Sequence, residues 1–315
     1  MSVKGVLFID ANQYLDLYRI VSGKKLLAAL QEQRVYILVT AQVVDEVHRQ
    51  KVKVTASFLA DSVKKLELHS IAVPDHLLST VDDRVVHIRD QLQKIREKVN
   101  ETKEEFKKLT HDLLEQVSQS KDEVSKVLAG LFSQAVAPNE GELQRARARK
   151  ERGNPPGKKS DPLGDELSWE QILSQCQDKP RLWIITKDSD YGTEHEGKIF
   201  LNAALYQELA RLYQSEPAVF CFDNIADGLK HFADTTGAKA EKLPTPEETE
   251  QIKKEQESLP PLGWLTNYDD SAPIAIQSAY RMRDSTLLRV ALGSQVISEE
   301  VFPPSAAKEA DKDGT

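Results

Sequence analysis

The stretch Val6-Leu-Phe-Ile-Asp10 decides the fold class of this sequence, because four consecutive apolar residues end on an acid. An unbroken apolar run of this length is typical of a strand that is buried on both faces of a parallel sheet. The segments 35–40, 182–186 and 218–222 have the same character. Helical stretches lie between them, and one of these begins at Thr40, a typical N-cap. The sequence therefore predicts an α/β fold around a central parallel sheet.

A long helical segment interrupts this alternation. Apolar residues from Val85 to Leu113 follow alternating steps of three and four, with charged residues between them. This is the pattern of a coiled-coil seam. A second helical stretch, at about 121–135, could fold back against it as a hairpin. We interpret residues 80–136 as an inserted structural arm; the alternative is a surface for a second copy of the chain or another protein partner.

Composition divides the chain at about residue 236. We expect one domain over residues 1–236, including the arm. From Gly237 onward the chain is rich in Lys, Glu, Pro and Thr, as in a linker. Within the tail of residues 237–315, one helix is predicted at 273–293, and the final dozen residues are predicted to be disordered.

Charge and cysteine content narrow the class of protein. The formal net charge of −8 argues against a protein that binds nucleic acid over its whole surface. Cys176 and Cys221 are far apart, which excludes a disulfide framework and a cysteine zinc site and fits a reducing cytoplasm. No apolar run has the length of a membrane span, and the N-terminus lacks the apolar core of a signal peptide. We therefore expect a cytoplasmic protein that does not bind a membrane.

Six acidic side chains are predicted to gather at one edge of the sheet, because functional groups in open α/β sheets collect at the carboxyl ends of the strands. Without a counter-charge these carboxylates would repel one another and their pKa values would rise. A divalent cation relieves that repulsion, and carboxylate oxygens suit Mg²⁺ or Mn²⁺. The six candidate metal ligands are Asp10, Glu46, Asp161, Asp165, Asp188 and Asp190.

Each acid also has a purely structural explanation. Asp10 and Asp161 precede predicted helices, where Asp is a common N-cap. Asp188 and Asp190 suit an Asx-turn, and Glu46 suits a solvated helix face. The acids nevertheless recur at the same ends of successive strands, which favours one shared site.

Four motifs in this order resemble a PIN domain: FIDAN at residues 8–12, TAQVVDE at 40–46, PPGKKSDPLGDELSW at 155–169 and ITKDSD at 185–190. They are most similar to a bacterial PIN-like subgroup with a PPG-x-KD…GD…W segment. The resemblance covers roughly residues 4–235, interrupted by the arm. It implies a three-layer α/β/α fold.

The resemblance also implies an activity, because PIN domains typically cut single-stranded RNA with one or two Mg²⁺ or Mn²⁺ ions. Water as the nucleophile implies 5′-phosphate and 3′-hydroxyl ends. Pro162 departs from the family pattern and affects the expected geometry of Asp161. The family's four catalytic acids fall on Asp10, Glu46, Asp165 and Asp188, its auxiliary acids on Asp161 and Asp190, its hydroxyl on Thr186 and its core tryptophan on Trp169.

Basic residues are concentrated directly before Asp165. Residues 138–160 are rich in Gly, Pro and charge, so we predict a basic loop that holds the phosphate backbone of RNA, with a solvated loop as the alternative. Tyr14 and Tyr191 are the aromatic candidates for stacking bases near the site. The candidate nucleic-acid ligands are Arg145, Arg147, Arg149, Lys150, Arg152, Lys158 and Lys159.

Two other functions fit the same motifs. The first is a PIN nuclease that acts on DNA. The second is a non-catalytic PIN-like protein that binds RNA or recruits a partner through the arm. All four main acids are present, which favours an enzyme. A toxin, a defence effector and a housekeeping RNA processor are all compatible with these motifs.

Overall fold

A parallel sheet of four strands lies at the centre of the protein. The structure, a computed structural model, describes residues 5–66, 83–157, 163–260 and 262. The strands of the sheet are β1 (Val6–Ile9), β2 (Ile37–Leu38), β3 (Arg181–Ile185) and β6 (Ala218–Phe222). They have the order β2-β1-β3-β6, and every pair of neighbours is parallel. The predicted α/β fold with a central parallel sheet is confirmed.

The register of the sheet brings the ends of its strands to one edge. Ile9 of β1 is opposite Ile185 of β3. The Asp10 N–H donates to the Ile185 carbonyl at 3.0 Å, and the Thr186 N–H donates to the Phe222 carbonyl at 2.9 Å. Asp10 and Thr186 therefore emerge side by side.

Helices flank the sheet and cover its apolar strands. All four residues of β1 are buried, as expected of a strand with both faces covered. Thr40 caps the third helix as predicted, its side chain accepting a hydrogen bond from the Val43 N–H. These helices are α1 (Ala11–Asp16), α2 (Lys24–Gln33), α3 (Ala41–Lys64), α7 (Asp165–Gln175), α8 (Ala203–Tyr213) and α9 (Ile225–Thr236).

The inserted segment contains α4 (Asp83–Ser118) and α5 (Glu123–Phe132). Helix α4 is about 54 Å long at the usual rise per residue. It packs mainly against α3, whereas α5 packs mainly against α2, so neither helix has the other as its main partner. Three seam residues, Ile88, Ile95 and Leu109, stay about half exposed. The chain returns to the sheet at Val136, which forms a parallel bridge with Thr40.

The predicted basic loop is largely a helix. Helix α6 (Glu140–Arg152) begins with a capping box between Asn139 and Glu142 and ends at Gly153 in the left-handed conformation. Lys158, Lys159 and Asp161 belong to predictions that lie outside the described residues. The capping box is a local helix signal, and it outweighs the Gly, Pro and charge content that favours a loop here.

A further helix follows residue 236. Helix α10 (Pro246–Glu257) buries Ile252 and Gln256, and the compact unit that contains the sheet reaches Leu259. A hairpin of β4 (Gly192–His195) and β5 (Lys198–Leu201) was not predicted. The tail helix predicted at 273–293 and the disordered end lie outside the described residues. Within the described ranges, no helix is both long and apolar enough to cross a membrane.

Candidate active site

Asp10 is held by three hydrogen-bond donors at the end of β1. Its Oδ1 accepts from the Ala11 N–H at 2.7 Å, which makes Asp10 the N-cap of α1. Its Oδ2 accepts from Asn12 Nδ2 at 2.6 Å and from Thr186 Oγ1 at 2.8 Å. The capping role and a role in the site therefore coexist. Asn12, two residues further along FIDAN, was not singled out from the sequence.

The turn after β3 is organised by the side chains of Thr186 and Asp188. The Asp188 N–H donates to Thr186 Oγ1 at 3.0 Å. The Asp190 N–H then donates to Asp188 Oδ1 at 3.0 Å, which is an Asx-turn. Thr186 thereby connects the Asp10 carboxylate to the backbone of Asp188.

Two helices bring acids from the other side of the site. Glu46 is half-buried on α3, whereas its neighbour Asp45 is exposed. Asp165 is the first residue of α7. The beginnings of α3 and α7 are joined by a 3.2 Å hydrogen bond between the hydroxyls of Thr40 and Ser168.

The four main acids act on one another electrostatically. Burial and then the charge of Glu46 raise the pKa of Asp10 to about 7, although the Thr186 hydrogen bond opposes this. Burial and then the charges of Asp10, Asp188 and Glu46 raise the pKa of Asp165 to about 9. The structure thus brings four of the six predicted acids within electrostatic reach of one another.

These carboxylates fit a divalent cation in their chemistry. Hard oxygen ligands are those that Mg²⁺ and Mn²⁺ prefer, and a cation would relieve the repulsion that raises the pKa values. Among the described residues, no group of three or more His, Cys, Asp or Glu side chains is arranged to hold a metal ion as it stands. The ligands of such an ion would be Asp10, Glu46, Asp165 and Asp188.

A lysine beside the acids is bound elsewhere. Lys187 Nζ lies 2.7 Å from Oδ2 of the buried Asp16. Arg19 contacts Oδ1 of the same carboxylate at 2.6 Å. The charge of Lys187 is therefore shared with Asp16, and it does not stop the neighbouring acids from repelling one another.

The predicted nucleic-acid ligands divide into different environments. Arg149 is buried, and its guanidinium contacts Glu170, Glu208 and the Pro155 carbonyl, each at 2.7 Å. Trp169 is buried as predicted, and its indole N–H donates to Glu208 at 2.7 Å. Arg149 therefore joins its own helix, α6, to α7, to α8 and to the turn that contains Pro155. Its guanidinium is not free to contact RNA.

The other described basic residues of α6 are more accessible. Arg145 is half exposed beside Glu170, and Lys150 Nζ lies 3.1 Å from Glu166 Oε1. Arg147 and Arg152 are exposed. Helix α6 thus has an outward basic face.

Tyr14 and Tyr191 are too deeply buried to stack on bases. Tyr14 is 0% exposed and Tyr191 is 1% exposed. The prediction that they form aromatic platforms is wrong, because both rings pack inside the domain.

Comparison with known proteins agrees with this geometry. The family model described as a PIN domain matches residues 7–191, a span that contains all four main acids. No curated protein and no solved structure matches the chain. PIN domains are generally metal-dependent nucleases. Because the match covers more than half of the chain, the protein belongs to the PIN-domain family.

Proposed function

We propose that this protein is a metal-dependent endoribonuclease that hydrolyses phosphodiester bonds in RNA. The proposal rests on four carboxylates that come from separate segments and meet at one edge of the sheet. They are close enough for their charges to raise the pKa values of Asp10 and Asp165. Buried acids that repel one another destabilise the metal-free fold, so such a cluster is typical of a functional site.

The residues have distinct parts in this mechanism. Asp10, fixed by three donors, would be the central ligand of a divalent cation, and Asp165 and Glu46 would bind the same cation. Asp188, after β3, would add a fourth carboxylate. Such a cation would supply a bound water of lowered pKa and positive charge to neutralise the phosphate. Attack by water leaves a 5′-phosphate and a 3′-hydroxyl.

In this proposal the basic end of α6 supplies a surface for the phosphate backbone of RNA. Gly157, in the turn after α6, packs so closely that a Cβ there would lie 2.5 Å from the Glu166 carboxyl group. Lys150 contacts the same carboxylate, and Glu166 is next to Asp165 in the chain. A strand of RNA that follows Arg147 and the end of α6 would therefore reach the carboxylates.

The test is a cleavage assay on labelled single-stranded RNA and DNA with Mg²⁺, Mn²⁺ or EDTA. We expect RNA cleavage that needs a metal ion and is lost in Asp10→Asn and Asp165→Asn. Asp178→Asn, a change outside the four main acids, is the control and should retain activity. Cleavage in EDTA, or unaffected site variants, would contradict the mechanism. Preference for DNA would change the substrate, and RNA binding without cleavage would favour a scaffold.

A further inference from the structure

The Tyr191 hydroxyl is a buried polar group that the mechanism above does not use. The side chain is 1% exposed, and its hydroxyl has no hydrogen-bond partner within the described residues. A buried hydroxyl without a partner is destabilising, so native proteins contain few of them. Such a group at the site calls for a ligand that pairs with it.

The surroundings of Tyr191 fix its ring among the segments that supply the acids. Its ring centroid lies 6.1 Å from that of Phe8 in β1 and 6.3 Å from that of Trp169 in α7. Its backbone N–H donates to the Asp188 carbonyl at 3.3 Å. The ring therefore packs against β1, which is followed by Asp10, and against α7, which begins with Asp165.

All four main acids act on the Tyr191 hydroxyl. Burial and these charges raise its pKa well above the ordinary value. A tyrosine hydroxyl can donate a hydrogen bond at neutral pH without any such shift. Tyr14 also has a buried hydroxyl without a partner among the described residues. It differs from Tyr191 because the charge that raises its pKa is that of Asp10, whereas four acids raise the pKa of Tyr191. The charges acting on Tyr191, largest first, are Asp165, Asp10, Asp188 and Glu46.

The geometry points to Tyr191 as a positioning residue of the acidic site: its hydroxyl donates a hydrogen bond to the oxygen ligands around a bound divalent cation, on the Asp165 side. This inference rests on the proposed function, since it needs a cation at these carboxylates. A neutral donor suits this place, because it stabilises negative oxygens without competing with the cation for them.

The experiment compares Tyr191→Phe with wild type and with Tyr18→Phe as a matched control. Both variants keep the ring and lose a hydroxyl. The Tyr18 hydroxyl is paired with Ser125 Oγ at 2.9 Å, and the charge that acts on it is that of Asp122. Mn²⁺ binding is measured by titration calorimetry, and the unfolding temperature is measured in EDTA and in saturating Mn²⁺.

We expect Tyr191→Phe to bind Mn²⁺ about three- to tenfold more weakly, as for the loss of one hydrogen bond. In EDTA its unfolding temperature should equal or exceed that of wild type, because the lost hydroxyl has no hydrogen-bond partner in the described part of the chain. In Mn²⁺ it should gain less stability than wild type. Tyr18→Phe should unfold at a lower temperature in both conditions and bind Mn²⁺ normally.

Equal Mn²⁺ affinity in wild type and Tyr191→Phe would overturn this inference and leave the proposed function intact. A lower unfolding temperature of Tyr191→Phe in EDTA would also overturn it, since the hydroxyl would then stabilise the metal-free fold. Absence of Mn²⁺ binding by wild type would overturn both the inference and the proposed function.

Discussion

Thr186 donates a 2.8 Å hydrogen bond from Oγ1 to Oδ2 of Asp10, and this bond joins the ends of two neighbouring strands. The same hydroxyl accepts from the Asp188 N–H at 3.0 Å. The Thr186 side chain therefore fixes Asp10, which follows β1, relative to the turn that carries Asp188. We therefore expect the candidate site to need this contact as well as the acids.

Thr186→Val removes this hydroxyl without changing the volume of the side chain. We expect cleavage activity to fall about ten- to a hundredfold, as when a residue that orients metal ligands is lost. Thr186→Ser keeps the hydroxyl and should retain most of the activity. Rates at saturating RNA and Mn²⁺ measure the effect; equal activity of Val and Ser variants would show that the bond to Asp10 is dispensable.

Arg149 and Arg147 lie on the same helix and should respond in opposite ways to substitution. Arg149→Ala leaves Glu170 and Glu208 without their buried partner, which should cost about 3–5 kcal/mol of unfolding free energy. Arg147→Ala should change stability by less than about 0.5 kcal/mol. It should instead weaken RNA binding. The slope of the logarithm of the binding constant against the logarithm of the salt concentration should fall by about one phosphate contact.

Urea unfolding and RNA binding at several salt concentrations separate these two roles. Weaker RNA binding by an Arg149 variant that is as stable as wild type would contradict the structural role of Arg149. Unchanged RNA binding by the Arg147 variant would remove the outer face of α6 from the proposed RNA surface.

The metal-free protein should lose stability as the pH rises. The pKa values of Asp10 and Asp165 rise from 3.8 to about 7 and about 9 in the folded state. The folded state therefore binds more protons than the unfolded chain between pH 4 and 9, and stability falls over this range. Asp165→Asn removes one such group, so its unfolding free energy should fall less between pH 5 and pH 9 than that of wild type.

Urea unfolding in EDTA at pH 5, 7 and 9 measures this dependence. Mn²⁺ should reverse it in wild type, because a cation binds the deprotonated carboxylates. The same pH dependence in wild type and Asp165→Asn would mean that Asp165 does not titrate in this range.

Helix α10 should be part of the folded domain. Ile252 is 1% exposed, so Ile252→Ala should cost about 2–4 kcal/mol of unfolding free energy. Lys254 is exposed on the same helix, and Lys254→Ala should have little effect. Equal stability of the two variants in urea unfolding would favour the linker predicted from composition.

The strands and the acids could be predicted because their signals are local. The apolar run before Asp10 and the acid that ends it specify a buried strand and the position of its carboxyl end. The short β2 differs in length from its prediction because a 3-10 turn, Arg34–Tyr36, occupies the beginning of the apolar run.

Composition predicted irregular structure in two segments where a local capping signal specifies a helix. Asn139-x-x-Glu142 and Thr245-Pro246-x-Glu248 are both capping boxes, and each begins a helix that composition assigned to a loop or linker. Other features depend on contacts distant in sequence. The pairing of Arg149 with Glu208 joins residues 59 positions apart, so no spacing along the chain predicts that Arg149 is buried.

Glu46 and Asp45 offer the most direct test of the central claim, that acids from separate segments assemble one metal-dependent nuclease site. They are adjacent carboxylates on α3. Glu46 is half-buried and its charge raises the pKa of Asp10, whereas Asp45 is exposed. The measurement is the rate of Mn²⁺-dependent RNA cleavage by Glu46→Gln and Asp45→Asn. Loss of activity in Glu46→Gln with normal activity in Asp45→Asn is the predicted result, and equal rates in the two variants would contradict it.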